Sequence, residues 1–476
     1  MNTVCNKNTT IKQLTLQPLG NKKVEAKFDG GRITSDAGAL LLREIDEANN
    51  VLKDFASCFT DYRDRRYTEH GVQELISQRV YGICCGYEDL NDHDRLRNDP
   101  LLATICGKGD PEGEGRKLVR DRGKALAGKS TLHRLETAHG DVVSTERYKK
   151  IVYEARAIEE YFVEIFLRTY DEKPEEIIID IDATDDPVHG EQEGRFFHGY
   201  YDSYCYLPLY IFCEDHLLCA KLRVSNIDSA EGVVEELERI IERIREEWPE
   251  VRIVIRGDSG FCREGVMGWC EKHRVDYVFG IARNKRLVKR IEKVLKKVKR
   301  KYLISGEPQR LYRNFMYRTL NSWSRKRRVV GKAEYLPKGE NPRFIVTSLC
   351  KEEIGGKELY EKIYCARGDM ENRIKEQQLH LFADRTSSAT MRANQLRLWF
   401  SSVAYVLLNE LRKRALRGTE FARAQCETIR VKLLKIGAQV RVSVRRVYVS
   451  LASGYPYQDV FYKILENIER SYPQRC

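Results

Sequence analysis

No stretch of this 476-residue chain comes near the ~20 consecutive apolar residues that a membrane-spanning helix needs. The first thirty residues are polar and carry no apolar segment of the secretory kind. Both absences point to a cytosolic protein without a membrane partner. The 14 cysteines make no C-x-x-C and no Cys/His pair at zinc-finger spacing, and Cys84 and Cys85 are adjacent. Most lie in apolar runs, Cys205, Cys213, Cys219 and Cys350 among them, where a reduced thiol packs as a small hydrophobe. No internal repeat and no low-complexity linker divides the chain. The last shortage is local. Between Arg283 and Lys332 there are 19 Lys and Arg but only two acids, Glu292 and Glu307. That surplus of 17 exceeds the +12 of the whole chain, so everything else is net acidic by 5. A positive field so concentrated suits a polyanion, and nucleic acid is the expected partner. Tyr302, Leu311, Tyr312, Phe315, Tyr317 and Trp323 are interleaved with the charges, so the block is expected to fold.

What is present describes a soluble globular protein, 42% hydrophobic and 32% charged, long enough for about three domains. The N-terminal part reads as mostly helical. An apolar helical pattern follows Ser35-Asp36, another runs from Leu75 to Ile83, Ser130–Glu136 reads as a capped helix start, and Tyr148 to Tyr170 as a long amphipathic helix. Strands are expected at Ile177–Asp182, Tyr204–Cys213, Leu217–Val224, Val251–Ile255, Tyr277–Ile281 and Phe344–Cys350. A helix from Val233 to Ile244 precedes the fourth of these. Three strands in meander followed by helix, strand, helix, strand describe a mixed sheet with helices on its faces. Leu359–Leu381 and Met391–Leu416 read as late helices, and a basic tail from Arg423 to Arg446 holds an alternating strand at Val440–Val444.

The sequence is organised around Ile177-Ile178-Ile179-Asp180-Ile181-Asp182-Ala183-Thr184-Asp185-Asp186. On a strand Asp180 and Asp182 share a face. Buried acids need a positive partner, and a hard divalent ion with oxygen ligands is one answer. From spacing alone either aspartate could be the ligand. Asp258 ends the fourth strand in Arg256-Gly257-Asp258-Ser259-Gly260. On a late helix Tyr364, Arg367 and Glu371 fall at i, i+3 and i+7, one face carrying a phenol, a cation and a carboxylate. Three carboxylates suit DNA strand cleavage, in which two metal ions roughly 3.5–4 Å apart bind the attacking and leaving oxygens.

Asp-x-Thr after one apolar strand, Arg-Gly-Asp-Ser-Gly-Phe after another and Tyr-x2-Arg-x3-Glu on a late helix together resemble a DDE transposase of the bacterial insertion-sequence-four superfamily. His189–Tyr210 and Asn372–Gln378 resemble its thirteen-eighty family in particular, and the likeness runs from about residue 30 to 460. The resemblance implies an α/β fold with a ribonuclease H-like mixed sheet. It implies Asp182, Asp258 and Glu371 as catalytic acids holding two Mg²⁺ ions, with Mn²⁺ as a substitute. Asp182 is the preferred first ligand and bridging candidate. Tyr364 and Arg367 would meet the phosphate at the cleaved end. The wider signature places a Lys where this chain has Gln378, so Lys375, one turn earlier, is the candidate for that contact.

The implied domains are a helical DNA-binding part at 1–170, a catalytic core at 171–283 and 351–416, a basic insertion domain at 284–350 and a basic C-terminal region at 417–476. Arg325, Lys326, Arg327 and Arg328 in the basic block are expected to bind DNA, and Trp323 to stack on a base extruded beside a hairpin. The implied partners are double-stranded DNA, as terminal inverted repeats and target, and a second copy of the chain. The setting would be a bacterial cytoplasm, at the nucleoid.

Two other readings fit part of the sequence. Asp180-Ile181-Asp182-Ala183-Thr184 also looks like the first motif of haloacid-dehalogenase phosphotransferases, with Asp180 as nucleophile. The basic block fits a DNA-binding protein without catalysis equally well.

Overall fold

A computed structural model describes residues 13–140 and 150–472. Contacts group the chain into two units. The larger comprises Val51–Asp64 and Arg134–Asn409, the smaller Met1–Asn50, Arg65–His133 and Glu410–Cys476.

The larger unit is built on the isoleucine strand, β1 (Glu176–Ala183). Its alternation decides its two faces. Ile177, Ile179 and Ile181 are buried in one apolar cluster with Val163 and Phe166 of α1 (Ala155–Arg168) and Leu237, Ile241 and Ile244 of α2 (Val233–Glu247). Each such side chain contributes roughly 1.5–3 kcal/mol of burial. The other face turns Ile178, Asp180 and Asp182 towards the late helix.

Six strands matter beside β1. They are β2 (Phe196–His198), β3 (Ser203–Tyr206), β4 (Leu209–Cys213), β5 (His216–Lys221), β6 (Arg252–Gly257) and β7 (Asp276–Ile281). β4 pairs with β1 antiparallel and β5 continues the meander; β6 pairs with β1 parallel and β7 follows β6 parallel. The mixed sheet expected from the order of elements is therefore present. The expected strand at 204–213 is broken by Leu207-Pro208, which leaves β3 to pair with β2 instead. α1 starts only at Ala155, because Ile151–Tyr153 forms a strand against Phe59–Asp61; residues 148 and 149 lie outside the described part.

The stretch 284–350 does not fold apart from this sheet. Its helix α3 (Lys285–Ser305) precedes β8 (Gln309–Tyr317), β9 (Arg327–Leu336) and β10 (Arg343–Thr347), and these strands extend the sheet beyond β7 in the order β10, β9, β8. Antiparallel pairing of β10 with β7 makes that join. α3 buries Leu287, Ile291, Leu295 and Val298, at helical spacing, in the same apolar cluster as β1. Cys205, Cys213 and Cys219 are buried as expected, whereas Cys350 lies just past β10 and is exposed.

The smaller unit joins the two ends of the chain. Ala438–Val442 pairs with both Val447–Leu451 and Arg32–Thr34. The helix Val72–Cys84 ends with its Ile83 and Cys84 carbonyls accepting from the Arg430 guanidinium, a cation at the negative end of a helix. Among the described residues no helix is long and apolar enough to cross a membrane.

Candidate active site

Asp182 is the penultimate residue of β1, and Asp258 follows β6 directly. β1 and β6 run parallel with Asp180 beside Arg256, so both acids emerge from the same end of adjacent strands. Open sheets of this kind gather ligands there. Asp258 Oδ1 accepts from the Gly260 amide at 2.7 Å, which fixes the turn that carries it.

Glu371 arrives from the late helix. That helix is irregular: a wide turn at Leu359–Tyr364 is followed by a tight one at Cys365–Arg367 and then by α4 (Gly368–Lys375). Such turns re-aim side chains and recur at functional sites. Arg367 donates to Asp182 Oδ2 at 3.1 Å and to Glu371 Oε1 at 2.7 Å. One guanidinium thus links acids 189 positions apart. Tyr364 reaches the same place. A Cβ on Gly280 would stand 2.6 Å from Tyr364 Oη and 3.1 Å from the Ser259 amide, so β7 needs glycine there to admit the phenol.

The electrostatics match this geometry. Burial pushes the Asp182 carboxyl up to about 7; Arg367 opposes the shift, while Asp258 and Glu371 add to it. Burial also raises the Tyr364 phenol, with Asp258 adding to that and Arg367 opposing it.

Arg256 distinguishes the two aspartates of β1. Asp180 is 2% exposed, and both its oxygens accept from Arg256, at 2.5 and 2.7 Å. The remaining Arg256 nitrogen donates to the Ile363 carbonyl at 2.5 Å, tying β1 and β6 to the turn just before Tyr364. Asp180 is a buried anchor. With both oxygens held by Arg256, Asp180 presents neither to a substrate as a phosphotransferase nucleophile would.

A second buried tie was also missed. Gln378, where the wider signature has Lys, donates to the Asp185 carbonyl at 3.0 Å and to Asp186 Oδ1 at 2.8 Å. Asp186 is fully buried, and burial pushes its carboxyl up to about 8. A neutral amide therefore faces an acid that keeps its proton. The folded state holds that proton up to about pH 8, while the unfolded chain loses it near pH 4. Stability contributed at this position falls as pH rises through that window. Asp186→Asn removes the slope. Its advantage over the wild type should grow from pH 5 to pH 9 to on the order of a few kcal/mol, read from urea midpoints across that range.

The other expected contacts divide. Lys375 is exposed. Trp323 is 6% exposed, edge-on to Tyr317 with Arg327 over its ring, inside the apolar cluster. It offers no free face, and the reading of Trp323 as a stacking platform is corrected on that ground. Arg327, 3% exposed, is matched by Glu264 and Glu271; Arg328, 8% exposed, donates to Asn314 and to the carbonyls of Leu349, Cys350 and Ile354. Both hold β9 in place and are not open to DNA. Arg325 pairs with Glu271 at 2.8 Å but stays largely exposed, as does Lys326.

Residues 16–473 match the family described as transposase DDE domain group 1. The chain belongs to that family. It is a DDE transposase, whose class of chemistry is DNA cleavage and strand transfer and whose members generally use divalent metal ions. No curated protein matches it. Among solved structures, a piggyBac transposase synaptic complex with hairpin DNA is similar at 14% identity and a TM-score of 0.40, over 85% of this chain and 81% of that one.

The acids suit a hard divalent ion in kind, since all are carboxylates and the half-buried Asp182 carboxyl is raised despite Arg367 beside it. They are not yet gathered for one. Among the described residues no group of three or more His, Cys, Asp or Glu side chains stands close enough to hold a metal ion. Arg367 lies between two of them and supplies a cation there.

Proposed function

We propose that this DDE transposase has a ribonuclease H-like core and moves DNA by cutting and pasting, with Asp182, Asp258 and Glu371 as its catalytic acids. The observation that carries the reading is the joining of Asp182 and Glu371 through Arg367, beside the strand end that bears Asp258. The three acids would hold Mg²⁺, as two ions, or Mn²⁺ in its place. Bound metal supplies the positive charge that the attacking and leaving oxygens need at phosphorus.

Each step exchanges one phosphorus–oxygen bond for another. Water attacks at the end of the element and the 3′-oxygen leaves as a hydroxyl. That hydroxyl attacks the opposite strand, closing a hairpin on the element and freeing the flanking DNA. After water reopens the hairpin, the same hydroxyl attacks target DNA. Arg367, released from the acids, would turn to the scissile phosphate, with Tyr364 beside it and Lys375 one turn beyond Glu371. Synapsis of two ends calls for a homodimer, and the expected setting is a bacterial nucleoid.

The exposed face of α3 is the proposed track for the DNA backbone. Lys289, Arg290, Lys293, Lys297, Arg300 and Lys301 are exposed along it, and the helix's only acid, Glu292, pairs with Lys296. Its 21 residues span roughly 30 Å, about nine phosphate spacings of one strand. Arg325 and Lys326 add charge nearby in sequence. Affinity should fall steeply with salt. Lys293→Ala and Arg300→Ala should each weaken binding alike for any sequence and reduce the slope of log K against log salt by about one.

The test of the whole reading is Mg²⁺-dependent nicking of DNA carrying the inverted repeats that flank the coding sequence. Nicking by the wild type, lost in Glu371→Gln with binding retained, supports it. Binding with no metal-dependent cleavage by the wild type leaves only the DNA-binding reading.

A further inference from the structure

The hairpin of β2 and β3 stands just beyond the first acid. Asp186-Pro187, four residues after Asp182, pairs with Tyr206 and Cys205 of β3, and the Val188 amide donates to the Tyr204 carbonyl at 2.8 Å. The hairpin is therefore hung on the chain that leaves the site. Its free side is aromatic. Phe197 and Tyr204 face each other across the strands, with ring centroids 5.6 Å apart, and are 52% and 50% exposed. The Arg195 guanidinium lies 4.8 Å from the Tyr204 ring centroid. Tyr200, in the connecting turn, is 85% exposed. The next residue, Tyr201, packs on Tyr200 and His198. Burial raises its phenol, and Asp185, Asp182 and Asp258 raise it further, which sets this end of the hairpin in the field of the acids.

Exposed rings gathered in one place mark a binding surface rather than a core. Rings with a guanidinium among them, beside acids that work on a phosphodiester, match the two parts of a nucleotide: a base with a flat face and an anionic link. Every base has such a face, so stacking tolerates any sequence. We propose that Phe197, Tyr200 and Tyr204, with Arg195, form a platform on which unpaired bases of the DNA strand stack as it enters the acid site. Its occupant is taken from the transposase reading.

The probe is a 30-base-pair duplex, blunt or with a four-nucleotide single-stranded end that carries 2-aminopurine at the junction. The wild type is expected to prefer the frayed probe and to change its 2-aminopurine fluorescence. Phe197→Ala and Tyr200→Ala should each reduce that preference about tenfold, the scale of one stacked base. Lys293→Ala should weaken both probes together and keep the ratio. Tyr200 is so exposed that its loss leaves the fold intact, which thermal unfolding checks. An unchanged ratio in the double variant overturns the platform, as does a wild type without preference. A double variant that alters only self-association of the free protein also overturns it, since the patch then joins two copies. Nicking is scored separately with Mg²⁺. A wild type that prefers frayed ends but never nicks sinks the catalytic reading and leaves the platform. One that nicks without that preference does the reverse.

Discussion

Asp258→Asn is expected to lower metal-dependent nicking by on the order of a thousandfold or more while leaving DNA affinity in place. The substitution keeps the side chain's size and an oxygen that can still accept from the Gly260 amide, so the turn after β6 should persist. What it removes is a negative charge at the end of the strand beside Asp182. A neutral amide cannot match a divalent cation, so transition-state charge at phosphorus would go uncompensated. Asp182→Asn should act alike. The double variant should be little worse than either alone, because groups that hold one site fail as a unit. Single-turnover nicking of a plasmid carrying the ends measures this. Nicking near the wild-type rate in Asp258→Asn would remove this residue from the chemistry.

Arg256→Met is expected to destabilise the larger unit by about 3–5 kcal/mol, because it strands a buried carboxylate. Asp180 and Arg256 are 2% and 6% exposed, and each is the other's main partner. Burial raises the Asp180 carboxyl even with Arg256 opposing the shift, so without the guanidinium Asp180 would take up a proton at the expense of stability. The Ile363 carbonyl would lose its donor as well, freeing the turn that aims Tyr364 and Arg367. Removing both charges at once, in Asp180→Leu/Arg256→Met, should recover much of the lost stability, since paired burial of charge adds little net. Nicking should stay low in that double variant because the tie to Ile363 is still absent. Urea midpoints for the two singles and the double decide the matter. A double variant no more stable than Arg256→Met alone would show that the pair is not what holds the strands to the late helix.

Much of the candidate site's geometry was legible because its residues sit in short local patterns. Alternation in Ile177–Asp182 gave the strand and its two faces, and helical spacing put Tyr364, Arg367 and Glu371 together. Arg256 was hidden in plain view. It precedes Asp258 by two residues, as Asp180 precedes Asp182, so parallel pairing in register sets opposite charges side by side. The register itself follows from long-range pairing, which no local pattern carries. The same limit applies to the shared sheet of Arg32–Thr34 and Ala438–Val442, some 400 positions apart, and to Arg430 on the helix end at Cys84. Trp323 misled for the opposite reason. Its neighbours are basic, but its ring belongs to the core, because α3 and strands β8–β10 add to the main sheet. Gln378 departs from the signature for a reason the structure shows locally. Its departure from the signature goes with a protonated partner, Asp186.

The most direct measurement is Mn²⁺ binding by the DNA-bound protein, followed by electron paramagnetic resonance. The wild type should bind Mn²⁺, and Asp182→Asn, Asp258→Asn and Glu371→Gln should each weaken that binding sharply. Arg367→Ala should not weaken it, since its guanidinium stands between two of the acids. Unchanged Mn²⁺ binding in Glu371→Gln would contradict a single site assembled from all three.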